Sequence, residues 1–383
     1  MKKKRLVVVV NNRANYARIK SVLLHAKKSK KINLFIVVAA SGTLDRYGNV
    51  INMMKKDGLK VSYKVYTIVD GETLATMPKS TALSIIELSS IFEKIKPDII
   101  FTIADRYETI ATAIAGSYMN ILIAHSQGGE VTGSIDENVR HAITKLSHIH
   151  FPSTKNSYNR LIKLGEEKKR IFLTGCPAMD LAINTNPKID DSFKKKYRGV
   201  GYEINYKEPY IVVLQHPNTL EYGQGFFQIG ETLKAMKILK MQIVWIWPNI
   251  DAGTNEITKR LRSFREYNPN EKMCFVKNFS PEDYIKLIYN SSCVVGNSSS
   301  IIRECSVLGI PGVCIGTRQL GREKGPNVIF AKYNCLDILK KTRKKIAHGK
   351  YKRIKIFGNG NAGKKIVKIL ENLNLNISKK LTY

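Results

Sequence analysis

Short runs of β-branched residues, apolar at nearly every position and separated by amphipathic stretches, constrain this chain more than any other feature. RLVVVV, NLFIVVAA, VSYKVYTI, DIIFTIA and NILIAH follow one another in the first half, with IFLTG closing the series. Between them lie segments such as YARIKSVLLHAKK and TALSIIELSSIFEKIK, whose apolar residues recur at helical spacing. A strand apolar on both faces must be covered on both, and a helix between successive strands makes them parallel. The expectation is a doubly wound α/β fold.

Around 184–209 the pattern breaks into INTNPKIDDSFKKKYRGVGYEINYKEP, polar and marked by Pro and Gly, which reads as a linker. A second alternating series follows: YIVVLQHP, MQIVWIWPNID, MCFVKN, CVVGNSSS and GVCIGT. At 383 residues the chain is too long for one ordinary core. Two domains of one class are therefore expected, 1–183 and 210–383, with 184–209 between them. Two such domains would face each other across a cleft, with ligands at the carboxyl ends of the strands. A Gly-rich turn, GNGNAG, feeds one last helix.

Composition narrows the function classes. An apolar fraction of 43% with 9% aromatics is that of a folded chain. The opening MKKKRLVVVV has the basic-then-apolar order of a signal peptide, but its apolar run ends at Asn11, Asn12 and Arg13, too soon for a secretory core or a membrane span. It reads as a first buried strand of a cytoplasmic protein without membrane insertion. The six cysteines include no CxxC pair and mostly sit in apolar runs, as buried reduced thiols do. Neither HExxH nor another metal-ligand cluster is present; His148 and His150 have strand spacing but lack acidic or thiol companions. No metal and no cofactor are expected. The formal charge of +32 suits a polyanion. Yet Lys is spread over nearly every predicted helix, and the dense run KKTRKKIAHGKYKRIK lacks the interleaved aromatics of a single-strand platform. A general Lys enrichment accounts for it better than a nucleic-acid partner.

The strand ends carry the chemistry. Arg13 follows the first strand; Asp105 and Arg106 follow DIIFTIA; HSQGGEVTGSIDENVRHAITK, residues 125–145, follows NILIA. In the second half, His216 follows YIVVL, Asn249 and Asp251 follow IVWIW, Ser298, Ser299 and Glu304 follow CVVG, and Arg318 follows GVCIG. Repeated Arg and carboxylate at successive strand ends exceed what loop composition supplies. NSSS leading into a helix offers backbone amides and hydroxyls to a phosphate, although Ser298 can equally be a plain N-cap. Glu304 can accept from ribose hydroxyls, and His216 and Arg318 would add positive charge around a diphosphate. Asp105, Glu130 and Asp136 are three carboxylates from adjacent strand ends, and crowding would push their pKa values apart, one serving as base and another as acid. For Asp136 the bland alternative is a helix N-cap. Gly128 and Gly129 would let a bulky ligand approach the backbone.

With these motifs assembled, the chain resembles the hydrolysing UDP-N-acetylglucosamine 2-epimerases of sialic-acid pathways. The likeness runs from NNRANY to FGNGNA through DRYE, GGEVTGSIDENVRHAITKLSHIH, GCPAMD, QHP, PNIDAG, GNSSSIIRE and GTRQLGRE. It implies the GT-B architecture, two Rossmann-like domains with parallel sheets facing a central cleft and the last helix packing back toward the first domain. It implies a nucleotide-sugar substrate, conversion of UDP-N-acetylglucosamine to N-acetylmannosamine and UDP through a 2-acetamidoglucal, and a homo-oligomer, dimer or tetramer. By resemblance Arg13, His216, Asn249, Ser298, Ser299, Glu304 and Arg318 bind UDP. Asp105, Arg106, Glu130 and Asp136 line the sugar pocket, together with Gln127.

This chain departs from the family pattern at three places. Gln127 stands where relatives commonly carry Glu, Asn15 replaces the Asp of RADY, and ASGTLDRYGN has Gly42 where many have a histidine. All three fall in the sugar half, as expected if the sugar is modified. A nucleotide-activated 2,4-diacetamido-2,4,6-trideoxyhexose of the legionaminic acid route is therefore the second candidate substrate. A GT-B glycosyltransferase is the more remote alternative.

Overall fold

The computed structural model describes residues 2–45 and 50–382, so the last four residues of ASGTLDRYGN lie outside the described residues. The first unit opens with β1 (Lys4–Val10), α1 (Arg13–Lys28), β2 (Ile32–Val38), α2 (Val50–Lys56), β3 (Tyr63–Lys64) and α3 (Thr76–Ile95). It continues with β4 (Ile99–Ile103), α4 (Tyr107–Tyr118), β5 (Leu122–Ser126), α5 (Asp136–Leu146), β6 (Ile149–Phe151), α6 (Lys155–Lys163) and α7 (Pro177–Asn184), whose last residues cross into the second unit. The six strands are all parallel, in the order β3-β2-β1-β4-β5-β6. The order reverses between β1 and β4, so the crevice where such sheets take ligands opens at the ends of those two strands.

Alternation along β1 explains the two layers. Leu6, Val8 and Val10 pack with Tyr16, Ile19, Val22 and Leu23 of α1. Val7 and Val9 point the other way, onto Leu88, Ile91 and Phe92 of α3 and Ala111 and Ala115 of α4. Each fully buried aliphatic side chain contributes roughly 1.5–3 kcal/mol, so a strand apolar at every position is stable only between two helical layers.

The second unit consists of residues 132–134 and 182–355. The stretch 184–209, read above as a linker, carries α8 (Asp191–Lys196) and β7 (Val200–Gly201), which pairs antiparallel with a strand of the second sheet. Phe193 supplies an apolar anchor that its polar neighbours disguise, stacking on Phe279 and meeting Tyr206 edge-on. Then come β8 (Tyr210–Leu214), α9 (Gly225–Leu239), β9 (Gln242–Ile246), α10 (Thr254–Tyr267), β10 (Met273–Val276) and α11 (Pro281–Asn290). The series ends with β11 (Cys293–Gly296), α12 (Ser299–Ile302), α13 (Glu304–Leu308), β12 (Gly312–Ile315), β13 (Val328–Ala331) and α14 (Cys335–His348). Strand order is β13-β12-β11-β8-β9-β10-β7, parallel except at β7, with the reversal between β8 and β11.

The last helix, α15 (Ala362–Asn372), belongs to the first unit. Its first amides are satisfied by Asp180, whose carboxylate accepts from Ala362 N–H at 2.8 Å and Gly363 N–H at 2.7 Å. Cys176 N–H donates to the Phe357 carbonyl at 2.8 Å. GCPAMD and FGNGNAG are thus two halves of one joint, which gives both motifs a structural role. Cysteines 176, 274, 293, 305 and 314 are buried and Cys335 half-buried, all as free thiols.

Candidate active site

In the first unit, residues just beyond β2, β4 and β5 adopt left-handed backbone without being glycine: Ala40, two residues past β2, at φ +48°, and Ala104 and Gln127, directly after β4 and β5, at +67° and +70°. Such conformations cost of order 1–3 kcal/mol each and persist where surrounding structure forces them, often at functional sites. Here His125 helps. Its Nε2 lies 2.9 Å from the Ala104 carbonyl, and burial pushes the imidazole down to about 4, so the neutral ring donates Nε2–H at physiological pH. The next residue is Asp105.

Asp105 is 2% exposed and stands between guanidiniums. Arg140 of α5, fully buried, donates to it directly, and Arg18 of α1 is 3.8 Å away. Arg140 also reaches Glu137 at 2.6 Å and the Glu130 carbonyl at 2.9 Å. Burial opposes the charge on Arg140, but Asp105, Glu130 and Glu137 outweigh it and raise its pKa. The three predicted carboxylates were expected to act on one another by crowding. Instead a buried arginine sits among the acids of this region, so Asp105 and Glu130 each meet a cation. Asp136 lies in the first turn of α5, half-buried, with Ile135 at the cap position, so the N-cap alternative does not hold.

Arg106 makes a two-pronged pair with Glu108, at 3.0 and 3.1 Å, both side chains buried. Gln127 donates its amide to Cys176 Sγ at 3.2 Å. Asn15 keeps an acceptor role, its Oδ1 taking Asn11 N–H at 3.3 Å while its own N–H is capped by Asn12 at 2.8 Å. That cap starts α1, whose first residue is Arg13. The glycine pair serves the protein rather than a ligand. A side chain on Gly129 would collide with the Ser157 carbonyl, and one on Gly128 would stand 3.1 Å from His125 Nδ1. Gly42 likewise lets its turn settle on β1, its N–H donating to the Asn11 carbonyl at 2.8 Å. The rings of His148 and His150 are also engaged internally. His148 Nδ1 accepts Ile123 N–H at 3.1 Å, and His150 Nε2 meets Glu166 at 2.9 Å.

In the second unit, Asn297, wholly buried at the end of β11, clips the reversal point. Its Oδ1 accepts His216 N–H at 2.7 Å and its Nδ2 donates to the His216 carbonyl at 2.8 Å. Its own carbonyl accepts Arg318 at 3.3 Å and Gln319 at 3.0 Å. Asp251, buried, lies 3.8 Å from Arg318. Sequence reading passed over Asn297, although its place directly after β11 marks it. His216 Nδ1 accepts the Asn249 N–H at 3.1 Å. A ring whose Nδ1 accepts carries its proton on Nε2 and is neutral, so His216 offers a hydrogen-bond donor, not the positive charge expected of it. Ser298 does cap α12, accepting Ser300 N–H at 3.3 Å. That helix runs only four residues before Arg303 breaks it, so the helix expected after NSSS is two short ones, Ser299 opening α12 and Glu304 opening α13. Arg303 itself is buried at 1% exposure.

Two Rossmann-like units, each with polar side chains gathered at its reversal point, define an α/β protein of the GT-B type. The family model described as UDP-N-acetylglucosamine 2-epimerase matches residues 25–371, and the chain belongs to that family of enzymes. It is 30% identical to the UDP-N,N'-diacetylbacillosamine 2-epimerase (hydrolyzing) of Legionella pneumophila, over 97% of each chain. It is 28% identical to the UDP-N-acetylglucosamine 2-epimerase of Neisseria meningitidis serogroup B, over 93% of this chain and 91% of that one. Among solved structures, the Methanocaldococcus jannaschii UDP-GlcNAc 2-epimerase in complex with UDP-GlcNAc and UDP has the same fold. Its TM-score is 0.80 at 17% identity, covering 96% of this chain and 99% of that one. Among the described residues no helix is long and apolar enough to cross a membrane, and no three His, Cys, Asp or Glu side chains gather as a metal site.

Proposed function

We propose that this protein is a hydrolysing 2-epimerase acting on UDP-N-acetylglucosamine, releasing N-acetylmannosamine and UDP. The observation that carries the proposal is the cluster of buried Asp105, Arg140 and Glu130 with half-buried Glu137 at the reversal point of the first sheet, two of whose acids, Asp105 and Glu130, the family resemblance assigns to the sugar. In this reading a base removes the proton from C2 as the C1–O bond to UDP breaks, leaving a 2-acetamidoglucal. Water then adds at C1 and a proton returns to C2 from the opposite face. Asp105, Glu130 and Asp136 carry the proton transfers, Arg140 holds the acids in place, and Arg106 and Gln127 line the sugar. Arg13, His216, Asn249, Ser298, Ser299, Glu304 and Arg318 take the nucleotide, His216 through its Nε2–H. Backbone and guanidinium donors serve the diphosphate without a metal or cofactor.

Gln127 and Asn15 favour a second reading. Both put an amide where the family pattern has a carboxylate, and the Legionella relative is named for a diacetylated sugar. The alternative substrate is a nucleotide-activated 2,4-diacetamido-2,4,6-trideoxyhexose. Incubation with each nucleotide in deuterated water, followed by identification of the free sugar, separates the two. Free N-acetylmannosamine deuterated at C2 supports the first reading. A requirement for an acceptor would instead indicate glycosyl transfer. A homo-oligomer in the cytoplasm remains part of the proposal, and sedimentation of the purified protein tests the assembly.

A further inference from the structure

We propose that Lys379, beyond the last helix, is a positioning residue for the sugar half of the site. This rests on the reading that Asp136 and Arg140 serve the reaction. Residues 373–382 cross the first unit as a strap without regular structure. Arg170 grips the strap through the carbonyls of Asn376 and Ser378, and Thr382 N–H donates to the Gly165 carbonyl at 3.1 Å. Between these anchors the Lys379 ammonium turns inward. It donates to the carbonyls of Thr144 at 3.0 Å, Lys145 at 2.9 Å and Ser147 at 2.8 Å. Those are the last turn and cap of α5.

A helix end leaves its final carbonyls without partners, and a cation there is favourable on both hydrogen-bonding and dipole grounds. Lys379 meets three carbonyls at this end at once, of which only that of Thr144 also takes a backbone N–H, from Ser147 at 3.2 Å, among the hydrogen bonds of the described residues. Its fourth contact is Glu166, at 2.7 Å, a buried carboxylate that Lys145 of α5 also reaches at 3.1 Å. The strap thus ties the carboxyl end of α5 to a buried anion as well as capping it. Along α5, Asp136, Arg140 and Thr144 are spaced four apart and form one stripe. The capped turn lies one turn beyond the arginine that clamps Asp105, so a shift at Thr144 moves the whole stripe. Thirty-odd residues separate Asp105 from Arg140, and their contact depends on α5 being held at both ends.

The test uses the full chain with Lys379→Ala and Lys379→Arg, and Lys379→Gln should the alanine variant fail to fold. Hydrogen exchange read across α5 is the first measurement. The alanine variant should exchange these amides about tenfold faster, with α1 and the second unit unchanged, and arginine should restore most of the protection. UDP release is the second. Turnover should fall roughly tenfold at saturating substrate with KM nearly constant, recovering in the arginine variant. A variant that merely loosens the fold would raise exchange throughout and would not separate turnover from KM. Unchanged exchange in α5, or faster exchange there with wild-type turnover, overturns the proposal. If the wild-type protein turns over neither nucleotide, the proposed function falls, while the exchange comparison still decides whether Lys379 holds α5.

Discussion

Replacing Arg140 with Gln should be among the most damaging single changes in the first unit. The guanidinium is fully buried and joins Asp105, Glu137 at 2.6 Å and the Glu130 carbonyl at 2.9 Å. Removing one partner of a buried pair leaves an uncompensated charge and costs about 3–5 kcal/mol. Against a domain stability of about 5–15 kcal/mol that is about a fifth of the total or more. At a urea dependence of about 2 kcal/mol/M, the midpoint should fall by roughly 1.5–2.5 M. Asp105→Asn should cost less, about 1–3 kcal/mol, because Arg140 keeps Glu137. The double variant should cost less than the sum of the singles, since the two share one interaction. Far-UV circular dichroism follows the transition. Tryptophan fluorescence reports the second unit alone, because Trp245 and Trp247 both lie there. An Arg140→Gln midpoint equal to wild type, or strict additivity in the cycle, would refute the view that this pair organises the unit.

Three further outcomes are expected. Asp136→Asn should lower turnover by about 10² to 10⁴ with UDP affinity nearly intact, and UDP release beside calorimetry distinguishes that from a binding defect. Arg318→Ala and Glu304→Ala should each weaken UDP binding by roughly 1–3 kcal/mol, and unchanged calorimetric affinity in both would remove them from the nucleotide site. Acid should destabilise the protein in two stages. Burial lowers His125 and His148 from 6.5 to about 4, so between those values the unfolded chain binds more protons and stability drops as pH falls, by about 3 kcal/mol for His125 alone. Burial works against ionisation of Glu166, but His150 and Lys379 hold it down to about 2 from 4.5, so its contribution is full above 4.5 and is lost below it. Urea midpoints flat from neutral pH to pH 4 would contradict the first stage.

Much of the architecture is local information. Unbroken apolar runs imply strands covered on both faces, and helical spacing marks the layers between them. The position of polar residues directly after strands was equally legible, because the end of a parallel strand is where a doubly wound sheet exposes its chain to ligand. What those residues face was decided only by tertiary structure. Arg140 meets Asp105 across 35 positions and Lys379 meets α5 across more than 230, distances over which no periodicity operates. Gly129 reads as space for a ligand until the Ser157 carbonyl is found filling it. His216 reads as a charge until the Asn249 amide takes its Nδ1. Residues 184–209 read as a linker because their buried apolar residues, Phe193 and Ile204, stand apart among polar neighbours. Periodicity states which face of an element is buried. The partner on that face, and with it the charge and proton state of a side chain, depends on how separate elements are brought together.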